Sequence, residues 1–127
     1  MPEKETVERA REDKRQGKSA STQAGEFVRE EMHHIREGKH GARSTKQAIA
    51  IGLSKARRSG VKLGKPPRGS KATTKRSAAS ASRAGRRHSR PSPGRARAAL
   101  RALKREPHRA ASRKALSRQA RSAAHRR

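Results

Sequence analysis

Residues 44–60, STKQAIAIGLSKARRSG, are the most apolar stretch of this 127-residue chain and decide how its first half folds. The apolar residues fall on one arc of a helix: Ala48, Ile49, Gly52, Leu53 and Ala56. This arc predicts a helix at about 45–59. Ser44 precedes it with Gln47 three residues on, the spacing of a capping box. Gly60 follows it, as expected at a helix end.

A second apolar stripe lies upstream, in a predicted helix at about 23–37 that Gly38 ends. Its members are separated by one, three or four residues: Ala24, Phe27, Val28, Met32 and Ile35. We expect the two stripes to bury each other as an α-hairpin. The predicted hairpin core is Phe27, Val28, Met32, Ile35, Ile49 and Leu53. A further helix at about 3–16, ended by Gly17, offers so little apolar surface that we expect it to be largely solvated.

The segment Ile49–Ser54 also suggests the start of a helix-turn-helix, in which a turn leads into a DNA-reading helix. Only Ile51 separates Ile49-Ala50 from Gly52-Leu53-Ser54, so the spacer is two residues too short. We therefore interpret 45–59 as a plain hairpin helix. Ile51 points away from the apolar arc, and we predict that it contacts the first helix, a second copy of the chain or another protein partner.

The charge of the chain is concentrated in its second half. Residues 1–60 hold 14 lysines and arginines against 9 carboxylates, whereas residues 61–127 hold 22 against Glu106 alone. Leu, Ile, Val and Phe together number 12 of 127 residues, a share typical of chains that lack a packed core. The composition therefore predicts that the second half is largely disordered.

These observations predict a small all-α N-terminal module of two to three short helices with a largely disordered basic C-terminal tail. The predicted divisions are a helical module at 1–60, a disordered basic linker at 61–92 and an Ala/Arg-rich tail at 93–127. Within this tail we expect helices at about 93–106 and 108–124, which form when phosphates neutralise the charge.

The spacing of the basic residues suits a phosphate backbone and predicts sequence-independent nucleic-acid binding. DNA is favoured over RNA, because the chain has one Phe and neither Trp nor Tyr for base stacking. Alternatives are an RNA- or ribosome-associated protein, and a protein adaptor whose hairpin is the functional part. The predicted nucleic-acid contacts are Arg57, Arg58, Lys62, Lys65, Arg68, Lys71, Lys75, Arg76, Arg83, Arg86, Arg87, Arg90, Arg95, Arg97, Arg101, Arg113, Lys114, Arg118 and Arg121.

Other chemistries find little support in the sequence. The segment EEMHHIREGKH contains two i,i+4 pairs, Glu30–His34 and His33–Glu37, but not the HExxH spacing of zinc enzymes. We therefore expect no metal site and no cofactor. No grouping of nucleophile, base and acid is visible, which predicts a non-enzymatic protein. The charged N-terminus and the short apolar runs predict a cytoplasmic, nucleoid-associated protein without a membrane partner.

The block AGEFVREEMHHIREGKHGARSTKQAIAIGLSKARRSGV resembles the shared segment of a family of small basic bacterial proteins of unknown function. In that family the block is followed by a variable tail rich in Lys, Arg, Ala and Ser. The resemblance covers about residues 3–65 and implies no activity or site residues. The tail is similar in composition to the tails of linker histones and histone-like bacterial proteins.

Overall fold

The computed structural model describes residues 2–66, 71–87 and 92–125. All regular elements in these ranges are helices, which confirms the all-α class. They are α1 (Lys4–Arg15), α2 (Ala20–Arg36), α3 (Thr45–Arg58), α4 (Ala72–Arg87), α5 (Pro93–Lys104), a 3₁₀ turn (Arg109–Ala111) and α6 (Arg113–His125).

The chain forms two compact units, each assembled from two segments that are distant in sequence. The first unit comprises Met1–Glu30 and Ile51–Arg90. The second comprises Glu31–Ala50 and Pro91–Arg127. The division proposed from composition, at residues 60 and 92, stays a prediction.

The helix ends follow the signals that the sequence carries. The residues Gly17, Gly38 and Gly60 all adopt a positive φ just after a helix, which confirms them as helix stops. Ser44 Oγ accepts a hydrogen bond from the Gln47 backbone N–H at 3.2 Å, as predicted for the start of α3. The Gln47 side chain reaches back to the N–H of Arg43, one residue before the expected Ser44.

The core of the first unit combines α1, α2 and α3. Its buried residues are Ala10, Ala24, Phe27 and Ala56, with Val7, Leu53, Val61 and Leu63 packed against them. A Cβ on Gly52 would lie 2.7 Å from Val28 Cα, so the helices approach as closely as a small residue allows. This packing confirms the α-hairpin, and α3 continues through Gly52 without the break that a helix-turn-helix needs.

Eight of the twelve residues of α1 are exposed, as expected for a largely solvated helix, but its remaining face packs on α2. Thr6 and Ala10 are buried, and Glu30 of α2 accepts hydrogen bonds from the Thr6 hydroxyl at 3.1 Å and from the Glu3 backbone N–H at 2.6 Å. Arg9 also pairs with Glu26 at 3.2 Å. The helix is held by small and polar side chains, which an apolar stripe does not reveal.

The second unit joins the chain between α2 and α3 to the C-terminal helices. Backbone hydrogen bonds run from Gly41 N to Leu103 O at 2.8 Å and from Ala42 N to Pro107 O at 2.9 Å. The Thr45 hydroxyl donates to the carbonyl of Ala110 at 2.5 Å. The largest apolar side chains buried in this unit are Ile35, which is fully buried, and Met32.

The prediction of a largely disordered tail was wrong. Helix α4 occupies the segment assigned to a disordered linker, and α5 begins at Pro93 as predicted, capped by Ser92. Helix α6 begins at residue 113 rather than 108, because Ser112 caps it and a 3₁₀ turn precedes it. Composition misled because alanine and glycine allow close backbone packing without large apolar side chains.

No helix within the described ranges has the length and hydropathy that a bilayer crossing requires.

Candidate nucleic-acid interface

A basic groove of about 760 Å³ lies in the first unit, beside α4, the end of α3 and the segment 61–66. Five of its lining residues are cations, and none of the described lining residues is acidic. The cations are Arg57, Lys65, Lys75, Arg83 and Arg86, all of them predicted nucleic-acid contacts. The rest of the lining is small or apolar: Leu63, Gly64, Pro66, Ala78, Ala79 and Ser82.

Helix periodicity brings three of the five cations of α4 to one face. Lys75, Arg83 and Arg86 follow one another at eight and three residues, with Ala79 and Ser82 between them on the same face. All three cations are exposed. Their side chains therefore present positive charge to a ligand without a competing carboxylate on this face of the groove.

The adjoining stripe of α4 consists of small residues and packs on the first unit. Ala78, Ala81 and Gly85 are buried and repeat at three and four residues. A Cβ on Gly85 would overlap the backbone carbonyl of Arg57 and lie 3.2 Å from Gly60 N. Helix α4 is thus seated directly on the end of α3.

Arg57 connects the packing to the groove. Its guanidinium donates a 2.7 Å hydrogen bond to the carbonyl of Gly64. This bond holds the segment that carries Lys65. Arg57 therefore lines the groove and also positions another part of its lining. Of the predicted contacts in the described residues, Arg57 is the only one that is half-buried rather than exposed.

We expect Gly85→Ala to lower the free energy of unfolding by about 1–3 kcal/mol, because the added methyl must displace backbone rather than a flexible side chain. Gly25→Ala is the matched control: it also lies in a helix of the first unit, with nothing within 4 Å of its Cβ. This control should raise stability by up to about 1 kcal/mol through helix propensity. Urea unfolding followed by far-UV circular dichroism measures the free energy of unfolding of both variants. Equal changes in the two variants would contradict the close packing of α4 on the end of α3.

The remaining predicted contacts are distributed over both units. In the first unit the predicted contacts outside the groove are all exposed: Arg58, Lys62, Lys71, Arg76 and Arg87. In the second unit the predicted contacts lie on α5 and α6 and are also exposed: Arg95, Arg97, Arg101, Arg113, Lys114, Arg118 and Arg121. Arg68 and Arg90 lie outside the described residues.

The hairpin residues are placed partly as predicted. Phe27 and Ile35 are fully buried and Met32 nearly so, whereas Val28, Ile49 and Leu53 are half-buried. Ile51 is also half-buried rather than exposed, and its contact with a partner stays a prediction.

The spacing of basic residues in the sequence predicted the cations of the groove, but it did not predict the helix packing that positions them. The groove depends on the buried stripe Ala78, Ala81 and Gly85, which lies within the segment 61–92 predicted to be a disordered linker. The available signal was the repeat of small residues at three and four positions, which is typical of a helix packed at short distance.

The comparisons with known proteins give one match. No curated protein and no solved structure matches the chain significantly. A family model described as a family of unknown function (DUF6496) matches residues 11–69, a region that includes the last five residues of α1 and all of α2 and α3. The match agrees with the resemblance to an uncharacterised family, and the shared motif of small basic proteins stays a prediction.

Proposed function

We propose that the protein binds nucleic acid, duplex DNA foremost, through phosphate contacts that do not depend on base sequence. The observation that carries the proposal is the groove lined by five cations without a carboxylate among its described residues. Neutralising phosphates with such side chains releases condensed counterions, and this release drives binding.

The second unit supplies further contacts of the same kind. Its α5 and α6 carry eight exposed lysines and arginines, and Glu106 is the one side-chain carboxylate of residues 61–127. Because these segments are already helical, the proposal does not need folding on contact with phosphates. The DNA would meet preformed basic helices, so less conformational entropy is lost on binding.

The placement of the aromatic side chain favours duplex over single-stranded ligands. Proteins that bind single strands stack bases on exposed aromatic rings. The chain has no Trp or Tyr, and its single Phe, Phe27, is fully buried in the first unit. Phosphate contacts to a duplex are therefore the recognition mode that these side chains support best.

The proposal is tested by titrating the full chain into labelled duplex DNA of two sequences, single-stranded DNA and a structured RNA, at salt concentrations of about 50 to 300 mM. Fluorescence anisotropy gives the affinities. We expect a steep decrease of affinity with salt, the same for both duplexes, and weaker binding of the single strand.

Other outcomes would change the assignment. Equal or tighter binding of the structured RNA would favour an RNA- or ribosome-associated protein. A preference for one duplex that survives high salt would indicate base reading, and the absence of a salt-dependent affinity for any of the ligands would contradict the proposal.

A further inference from the structure

Three side chains with metal-binding atoms converge in the second unit, apart from the basic groove. One ligand atom from each of Glu31, His34 and His40 lies within 4.8 Å of the other two. His40 Nε2 is 3.1 Å from Glu31 Oε2, and the rings of His34 and His40 stand edge to face with centroids 6.0 Å apart. Glu31 and His40 are buried and His34 is half-buried.

The fold holds the three residues in place from two directions. Glu31 and His34 stand at i,i+3 on one face of α2, a spacing that metal-binding helical bundles also use. His40 comes from the loop after α2, which turns at Gly38 with φ of 79°. The backbone N–H of the next residue, Gly41, donates a hydrogen bond to Leu103 O.

The hydrogen bond of the His40 ring determines what its other nitrogen does. Nδ1 lies 2.9 Å from the carbonyl oxygen of Gly41, and because a carbonyl only accepts, Nδ1 carries a hydrogen and donates it. Nε2 then points at the carboxylate of Glu31. This second ring nitrogen is therefore free of the carbonyl bond and stands beside the carboxylate as a candidate metal ligand.

The distance between His40 and Glu31 suits a metal ion. Nitrogen and oxygen ligands at the usual 2.0–2.1 Å from tetrahedral zinc are about 3.3 Å from each other. The 3.1 Å between His40 Nε2 and Glu31 Oε2 is close to this separation. Histidines that bind metals commonly donate their other ring N–H to a backbone carbonyl, which is the arrangement of His40 and Gly41.

We propose that Glu31, His34 and His40 form a binding site for one Zn²⁺ ion per chain. Two imidazoles and one carboxylate are an established zinc ligand set that leaves a fourth position for water or another donor. The ion would compensate the charge of the fully buried Glu31 carboxylate and fasten the loop of His40 to α2. Neither i,i+4 pair considered from the sequence makes up this site, which combines Glu31 and His34 with a histidine from the following loop.

The test is calorimetric titration of the untagged full chain with ZnCl₂, for the native sequence and for His34→Gln, Glu31→Gln and His33→Gln. His33 is the matched control, because it neighbours His34 on α2 and is exposed. We expect one ion per native chain, an affinity at least about tenfold lower in His34→Gln and Glu31→Gln, and native affinity in His33→Gln. Circular dichroism establishes that each variant is folded. If Glu31→Gln does not fold, the zinc affinities of His34→Gln and His33→Gln are compared instead, because His34 is only half-buried.

Cobalt gives a second readout that a merely structural role of His34 would not change. Co²⁺ in a four-coordinate site absorbs visible light strongly, and this absorption should appear with the native chain and be lost with His34→Gln. The proposal is overturned if the native chain binds no zinc, if His33→Gln weakens binding as much as His34→Gln, or if bound cobalt lacks the four-coordinate spectrum. Any of these results would assign Glu31 and His40 to an ordinary buried ion pair.

Discussion

Replacing Lys75, Arg83 and Arg86 together by glutamine is expected to weaken binding of duplex DNA about 100-fold at about 0.15 M salt. The three side chains lie on the groove face of α4. Each phosphate neutralised on duplex DNA contributes about 0.9 to the slope of log affinity against log salt, so the slope should fall by about 2.7. The measurement is an anisotropy titration of one duplex over a series of salt concentrations.

The control removes the same charge elsewhere in the first unit. Arg11, Lys14 and Arg29 are exposed and do not line the groove. Their joint replacement by glutamine also lowers the formal net charge from +26 to +23. If the groove binds phosphates, this control loses little affinity and keeps most of the slope. Equal losses in both triple variants would mean that net charge alone attracts DNA and that the groove is not an interface.

The helices of the N-terminal half were predictable because their limits are encoded by neighbouring residues. Ser44 and Gln47 start α3, and glycines with positive φ follow α1, α2 and α3. The stripe containing Phe27 has helical spacing, and Phe27 is indeed at the centre of the core. Such signals lie within a few residues of the structure that they determine, so one sequence suffices to read them.

The folded state of the C-terminal half was not predictable by the same means. Ala81 and Gly85 contribute almost nothing to an apolar count, yet both are buried, because their small size brings backbone close to backbone. Glu31 and His40 illustrate a related limit. Their approach depends on how the loop after α2 is fastened to Leu103, more than sixty residues away, and no local pattern records that bond.

We expect Gly41→Ala to lower the free energy of unfolding by about 3 kcal/mol. This substitution tests whether the C-terminal half is folded or disordered. Gly41 is buried, and a Cβ there would overlap the backbone carbonyl of Glu106 and lie 2.5 Å from Pro107 O. These neighbours are backbone atoms, so they cannot rotate aside as a side chain would. Both hydrogen bonds that fasten the loop to the C-terminal segment, from Gly41 and Ala42, are expected to weaken as the backbone shifts.

A disordered tail would predict the opposite result, because Gly41 does not adopt a positive φ and alanine would then be tolerated. The matched control is Gly94→Ala in α5, where a Cβ meets nothing within 4 Å and helix propensity adds up to about 1 kcal/mol of stability. Urea unfolding and amide hydrogen exchange of residues 93–125 provide the measurement. If Gly41→Ala leaves both the unfolding midpoint and the exchange protection unchanged, the C-terminal helices do not pack on this loop. A large loss confined to Gly41→Ala means that they do, because only a neighbouring backbone can exclude a single methyl group at this position.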